Sequence, residues 1–414
     1  MSHRIFLTIL IVIWSIIIFQ DLISTPSCQI VAHSSSPSSD TDPKEDSSDD
    51  LKVMMVANLL LLGSESGFVD RYFTEYYMSQ FFKKSFSKLM PDMLIVLGDV
   101  SARGYGMAKS GWYSVLRQFQ EVIGPFFELP FHVVLGDRDV GECSHLTRES
   151  VDWVASKFPG LDSAGSGAFR ISNISFLSLN AVALLCGNND IRFSTEKRIE
   201  RERSDIWMDS GDMGDVKRES SLVNEAGYDF KWRGNEMSSG SGPVVLLHFP
   251  LHKTAESCVK DSDFGRTHNT FKRRIKTLVG RDFAGTGPYD SLHLPANATE
   301  YIFQALKPRI IFSAHQNEFC SHTHPDGTLE ISVPAFSWNA RDDPGFILAT
   351  FKNNGATVTV SQCFLARESH ALAAIVSSFI VVLTLVLIAN AFFLEMLPRR
   401  QLQCTTTCEN AHVS

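Results

Sequence analysis

Three residues of the chain are of the types that hold divalent metals, and each follows an apolar run. Asp99 lies in Gly98-Asp99-Val100-Ser101-Ala102-Arg103-Gly104, directly after Met93-Leu94-Ile95-Val96-Leu97. His248 follows Val244-Val245-Leu246-Leu247, and His315 follows Ile310-Ile311-Phe312. A carboxylate or imidazole at the end of each of several buried strands is how an α/β layer assembles a metal site. The chemistry such a site supports is activation of water for attack on phosphorus, with a carboxylate bridging two ions held about 3.5–4 Å apart. Asp99 is the candidate bridge. Gly98 and Gly104 permit the sharp turn that would present its carboxylate. Taken singly, each residue reads equally well as a turn cap or a satisfied strand-end histidine; their order along the chain argues for a shared site.

The elements that must position these residues alternate. Residues 52–62 read as strand-like, 68–89 as a helix with aromatic and apolar residues at helical spacing, and 93–97 as a strand. A helix over 112–123 and a strand over 131–135 follow. This is the pattern of a layered α/β fold. Residues 169–180 alternate about Ser172-Asn173 like a hairpin. Residues 328–334, 346–351 and 357–365 read as further strands, with turns at Pro325-Asp326-Gly327 and Asn353-Asn354-Gly355. Two sheets packed as a sandwich, with helices outside, are expected.

Length and composition set the frame. The 414 residues suffice for one large domain, and the net charge of −8 argues against a nucleic-acid partner. Residues 5–19 are apolar except for Thr8 and Ser15, short for a span, and read as a signal anchor or signal peptide within 1–20. Residues 21–50 are expected to form a disordered acidic and Ser-rich tether. Residues 371–394 are long enough and apolar on all faces, as a transmembrane helix requires. Arg4, Arg399 and Arg400 place both ends in the cytosol, with 395–414 as a cytosolic tail. The body, 51–366, then lies in the lumen of the secretory pathway, the ER or Golgi. Asn173 and Asn297 head Asn-Ile-Ser and Asn-Ala-Thr glycosylation triplets that agree with that side. Six cysteines (Cys28, Cys143, Cys186, Cys258, Cys320 and Cys363) fall there and allow up to three bridges of unreadable pairing. Residues 187–242, rich in charge, Gly and Ser, read as a disordered or loosely helical insertion. His322-Thr323-His324 resembles a metal pair but sits beside a turn, and is read as surface.

The motifs also carry a resemblance. Gly98-Asp99 to Gly104, Gly136-Asp137-Arg138-Asp139, His248-Phe249-Pro250-Leu251 and Ser313-Ala314-His315-Gln316-Asn317 occur in the order and spacing of the calcineurin-like metallophosphoesterase superfamily. Pro334-Ala335-Phe336-Ser337-Trp338-Asn339-Ala340-Arg341-Asp342-Asp343-Pro344 resembles the membrane-anchored branch that removes ethanolamine phosphate from GPI anchors. The resemblance implies an α/β/β/α sandwich flanked by terminal transmembrane helices. It also marks departures. The family's Asp-x-His is here Asn58-Leu59-Leu60, its Gly-Asn-His-Asp is Gly136-Asp137-Arg138-Asp139, and its Gly-His-x-His is Ala314-His315-Gln316-Asn317. One metal's positions become Asn58, Leu60, Asp99 and Asn317. Leucine cannot ligate, and amides replace a carboxylate and an imidazole poorly. The other metal's positions become Asp99, Asp137, His248 and His315, all competent ligands for one Mn, Fe or Zn ion. Arg138 replaces the family's catalytic His; it cannot give up a proton near neutrality but can hold a phosphate bidentately. Two functions are expected. The first is a weakened metallophosphoesterase with at most one metal, acting on a luminal phosphodiester of a glycan or lipid, such as GPI-anchor ethanolamine phosphate. The alternative is a pseudoenzyme, with one metal or none, that binds such a glycan or its cargo during ER-to-Golgi transport.

Overall fold

The computed structural model describes residues 24–35, 50–187, 190–211, 240–253 and 293–409, apart from 69 and 241, together with residue 14. Strand β1 (Ser27–Ser35) and β2 (Leu51–Val56) open the body. A π-helical turn, Asp70–Glu75, leads into α1 (Tyr76–Leu89). Then come β3 (Met93–Leu97), α2 (Lys109–Ile123), β4 (Phe131–Val134), the single turn α3 (Asp137–Val140) and α4 (Arg148–Ala155). The hairpin β5 (Gly167–Ile171) and β6 (Ile174–Ser178) precedes α5 (Ala181–Leu185) and α6 (Asp190–Gly211). The chain continues through β7 (Val244–Leu246), α7 (Ala296–Leu306), β8 (Ile310–Ser313), β9 (Cys320–Thr323), β10 (Leu329–Ser332), β11 (Gly345–Lys352) and β12 (Thr357–Phe364). Helix α8 (Glu368–Glu409) follows.

The fold is mixed α/β, with two six-stranded sheets ordered β1-β12-β11-β2-β3-β4 and β5-β6-β7-β8-β10-β9. In the first, β2, β3 and β4 run parallel; in the second, β6, β7 and β8 do. One apolar cluster joins both sheets: Val53, Met55, Ile95 and Leu97 pack with Phe176, Leu246, Phe312 and Ile331. The alternate residues Met54, Val56, Leu94 and Val96 are buried too, so the first sheet is covered on its other face as well. Trp338 packs against Phe73, Tyr77 and Phe81, which gives the Pro334–Pro344 stretch a packing role at α1.

Several expectations change here. Ser27–Ser35, assigned from sequence to the tether, is an edge strand. It pairs antiparallel with β12 and is bridged to it by Cys28–Cys363. Much of the insertion that begins at 187 is ordered helix. Ile191, Thr195 and Ile199 recur every fourth residue and are buried, while Arg192–Glu196 (2.8 Å) and Arg198–Glu202 (3.4 Å) pair along the flanks. Residues 188–189, 212–239 and 241 of the insertion lie outside the described residues. A second bridge is Cys143–Cys186. Cys320 is also disulfide-bonded, and Cys258 lies outside the described residues. Among the described residues one helix is long and apolar enough to cross a membrane, Glu368–Ile388 with mean hydropathy 2.9. The apolar stretch 5–19 lies outside them, apart from Trp14.

Candidate metal centre

Every candidate ligand sits just past the carboxyl end of a parallel strand. Asn58 and Leu60 follow β2, Asp99 follows β3, Asp137 and Arg138 follow β4, His248 follows β7, and His315 and Asn317 follow β8. The two sheets thus bring their loops to one edge. The backbone there turns sharply: φ is +53° at Asn58, Leu60 and Asp99, +62° at His315 and +60° at Asn317. Left-handed backbone at non-glycine residues costs about 1–3 kcal/mol each and persists where the surroundings over-determine it. The turns are tied together by Asn58 N–H to Gly98 O (3.1 Å) and Leu60 N–H to Asp99 O (3.0 Å). At Gly136 an added Cβ would collide with Asp99 Oδ1, so only glycine lets this loop approach.

Asp137, His248 and His315 each offer a ligand atom, all within 4.8 Å of one another. His248 Nε2 is 3.0 Å from Asp137 Oδ1, and His315 Nδ1 is 3.3 Å from the same oxygen. Asp99 stands beside this trio, with Oδ1 3.5 Å from His248 Nε2. His248 Nδ1 lies 2.8 Å from the Leu97 carbonyl, so this nitrogen carries the proton and Nε2 faces the cluster. Arg138 Nε is 3.4 Å from Asp99 Oδ2, and its backbone N–H donates to Asp99 Oδ1 at 3.1 Å.

The electrostatics match a site built for a cation. Burial pushes the Asp99 carboxyl up, and the Asp137 charge adds to it. Burial acts the same way on Asp137, but its hydrogen bonds to His248 and His315 outweigh it and hold that carboxyl well below its ordinary value. Burial disfavours charge on His248, yet the Asp99 and Asp137 carboxylates hold its imidazole well above its usual range. A buried cluster that binds a proton this strongly is one where a metal would take the proton's place. The donor set, two carboxylates and two imidazoles, suits a divalent transition metal. The other family position does not fit. Asn58 Nδ2 donates to Asn317 Oδ1 at 2.5 Å, and Leu60 is packed with Leu62 and Ala102. Asn58 Oδ1 is buried with no hydrogen-bond partner among the described residues.

Metallophosphoesterase 1 of Xenopus laevis is 28% identical over 335 residues, spanning 79% of this chain and 75% of that protein. Metallophosphoesterase 1 of Danio rerio is 24% identical over 372 residues, 89% of this chain and 87% of that one. Over most of its length the chain is similar to proteins named metallophosphoesterase 1. No family model matches the sequence. Among solved structures, a dimetal phosphatase from Danio rerio is 10% identical with a TM-score of 0.38, covering 72% of this chain and 95% of that one.

Three residues hold this site together: Asp139 and Glu330, which were not assigned a role from sequence, and Arg341, which was expected to cap or pair locally and does so. Asp139 is fully buried; its Oδ1 accepts the Ser101 N–H (2.9 Å) and its Oδ2 those of Gly136 (3.0 Å) and Val100 (3.4 Å). It clasps the Asp99 loop to the Asp137 loop. The second Asp of Gly-Asp-Arg-Asp was the available signal. Arg341 pairs with Asp343 and donates to the Asn317 carbonyl at 2.7 Å. Glu330, fully buried, accepts from Ser313 Oγ (2.7 Å) and Leu251 N–H (3.1 Å) and meets His324 Nε2 at 2.7 Å. The His322 and His324 pair is therefore buried structure, not surface as its turn neighbour suggested. Of the two glycosylation candidates, Asn173 is exposed at the β5–β6 turn and Asn297 is exposed in the first turn of α7.

Proposed function

We propose that this chain is a membrane-anchored phosphodiesterase of the secretory pathway. It would hold one divalent metal, Mn, Fe or Zn, on Asp99, Asp137, His248 and His315. The observation that carries the reading is the convergence of Asp137, His248 and His315 from three strand ends of two sheets. When bound, the metal would polarise the phosphoester and lower the pKa of a bound water. The chain's own residues do the rest. The Leu97 carbonyl fixes the His248 tautomer, and Asp137 holds both imidazoles in register. Arg138, partly exposed, presents guanidinium toward an incoming phosphate but cannot protonate a leaving group. Slow turnover follows from that loss. The substrate class is a luminal phosphodiester such as GPI-anchor ethanolamine phosphate, on the resemblance of the Pro334–Pro344 stretch.

Lumenal placement is supported by the disulfides, which persist in oxidising compartments, and by the exposure of Asn173 and Asn297. Glu368–Ile388 with Arg399 and Arg400 beyond it supports a C-terminal span, and residues 5–19 a second. A specific observation favours the pseudoenzyme reading as well: the Asn58–Asn317 amide pair and Leu60 leave no second metal. Purified full-length protein loaded with Mn2+ and assayed on ethanolamine-phosphate glycans decides between them. Turnover lost in Asp99→Ala supports the enzyme; glycan binding without turnover supports the pseudoenzyme. A glycosidase-sensitive mobility shift lost in Asn173→Gln with Asn297→Gln tests the lumen.

A further inference from the structure

The two oxygens of Asp99 face different surroundings. Oδ1 looks toward His248 and takes the Arg138 backbone N–H; Oδ2 meets Arg138 Nε at 3.4 Å. The Asp99 side chain is only 4% exposed, so its charge needs a partner on each side. At the second family position Asn58, Leu60 and Asn317 carry no charge of their own. Asn58 and Asn317 are neutral and spent on each other, and Leu60 is packed in an apolar cluster. The positive charge beside Oδ2 comes from Arg138, which also follows Asp137 directly in sequence and so enters the site on the same turn.

We propose that Arg138 is a resident cation that stands in for the second metal. Its guanidinium takes Asp99 Oδ2, while Oδ1 is the oxygen beside His248, and limits the chain to one ion. A guanidinium is always charged and cannot dissociate from the protein, so this half of the positive field is independent of metal supply. A bound phosphoryl group would then meet one metal and one arginine instead of two metals. The inference rests on the one-metal reading above, and the test keeps the two apart.

The test is metal stoichiometry of the full-length protein in detergent, saturated with Mn2+ and freed of excess. The parent is expected to hold one ion per chain. Restoring the lost ligands with Asn58→Asp, Leu60→His and Asn317→His, while Arg138 remains, is expected to leave the count at one. Adding Arg138→Ala to that set is expected to raise it to two. Two ions with Arg138 still in place would overturn the proposal, as would one ion in both variants, because removing the guanidinium would then open nothing. No ion in the parent would overturn the one-metal reading instead. Arg138→Ala and Arg138→Lys alone supply a measurement that does not need the multiple variants to fold. In metal-free protein, Arg138→Ala should lower the thermal midpoint by several degrees and Arg138→Lys should keep most of it. An Arg138→Ala midpoint equal to the parent's would show that Asp99 does not need the guanidinium, and would overturn the proposal on its own.

Discussion

Asn58 and Asn317 stand 259 positions apart in sequence and share a 2.5 Å amide hydrogen bond at the edge where the two sheets meet. The pair closes with its own polarity a position where the family resemblance implies metal ligands. Asn317→Ala would leave the Asn58 NH2 buried without an acceptor, at a cost of about 1–3 kcal/mol. Metal content should not change, because neither residue belongs to the Asp137, His248 and His315 set. Urea midpoints with elemental analysis check both halves. Adding Asn58→Ala to that variant should cost no more than the single change, since the stranded group is then gone.

Asp139 should matter more than its distance from the ligands suggests. Asp139→Ala strands the N–H groups of Val100, Ser101 and Gly136, so a loss of about 3 kcal/mol is expected. Because it clasps the loops that carry Asp99 and Asp137, metal affinity should also fall about 10–100-fold. Calorimetric Mn2+ titration of the folded fraction measures this. Unchanged affinity would confine Asp139 to stability.

The site was legible in sequence because strand-end position and residue type coincide. Apolar runs such as Met93–Leu97 are buried on both faces, so periodicity is not needed to find them, and the ligand follows at once. What was not legible depends on tertiary context. Ser27–Ser35 is weakly apolar, and it becomes a strand through β12 and the Cys28–Cys363 bridge. Helix α6 has one narrow buried stripe and an otherwise charged surface, so its composition reads as solvated chain. Its docking depends on α7, through Tyr301 Oη donating to Glu200 Oε1 at 2.6 Å. The role of Arg138 was read only toward phosphate. That its guanidinium lies on Asp99 is a fact of backbone geometry, since the same residue's N–H already binds that carboxylate.

The two bridges should differ in what they contribute. Cys28 and Cys363 are 335 positions apart, Cys143 and Cys186 only 43. Loop-closure entropy assigns about 5–6 kcal/mol to the first and about 4 kcal/mol to the second. Cys28→Ser with Cys363→Ser should therefore lower the denaturant midpoint further than Cys143→Ser with Cys186→Ser. It should also expose residues 27–35 to protease, as β1 is an edge strand whose strand pairing, among the described residues, is with β12 alone. The reverse order of midpoints would sink the argument.

His132 sets an acid limit on the fold. It is buried, with Nε2 2.7 Å from Ser178 Oγ and the Phe169 ring 4.6 Å away. Ser178 donates its own hydroxyl proton to Gly167 O, so Nε2 is the donor to Ser178 and Nδ1 is the site left to protonate. Burial lowers this imidazole to about 4. The unfolded chain, with His near 6.5, takes up a proton first as pH falls, so the unfolded state binds more protons between 6.5 and 4. Stability contributed by the neutral ring is complete above about pH 6.5 and is lost as pH drops through that window. The loss is about 1.4 kcal/mol per pH unit and about 3 kcal/mol in all. Other buried carboxyls titrate nearby, so the comparison is between the parent and His132→Gln. Urea midpoints at pH 7.0, 5.5 and 4.5 should fall less steeply in the variant; parallel slopes would mean that His132 is not the group responsible.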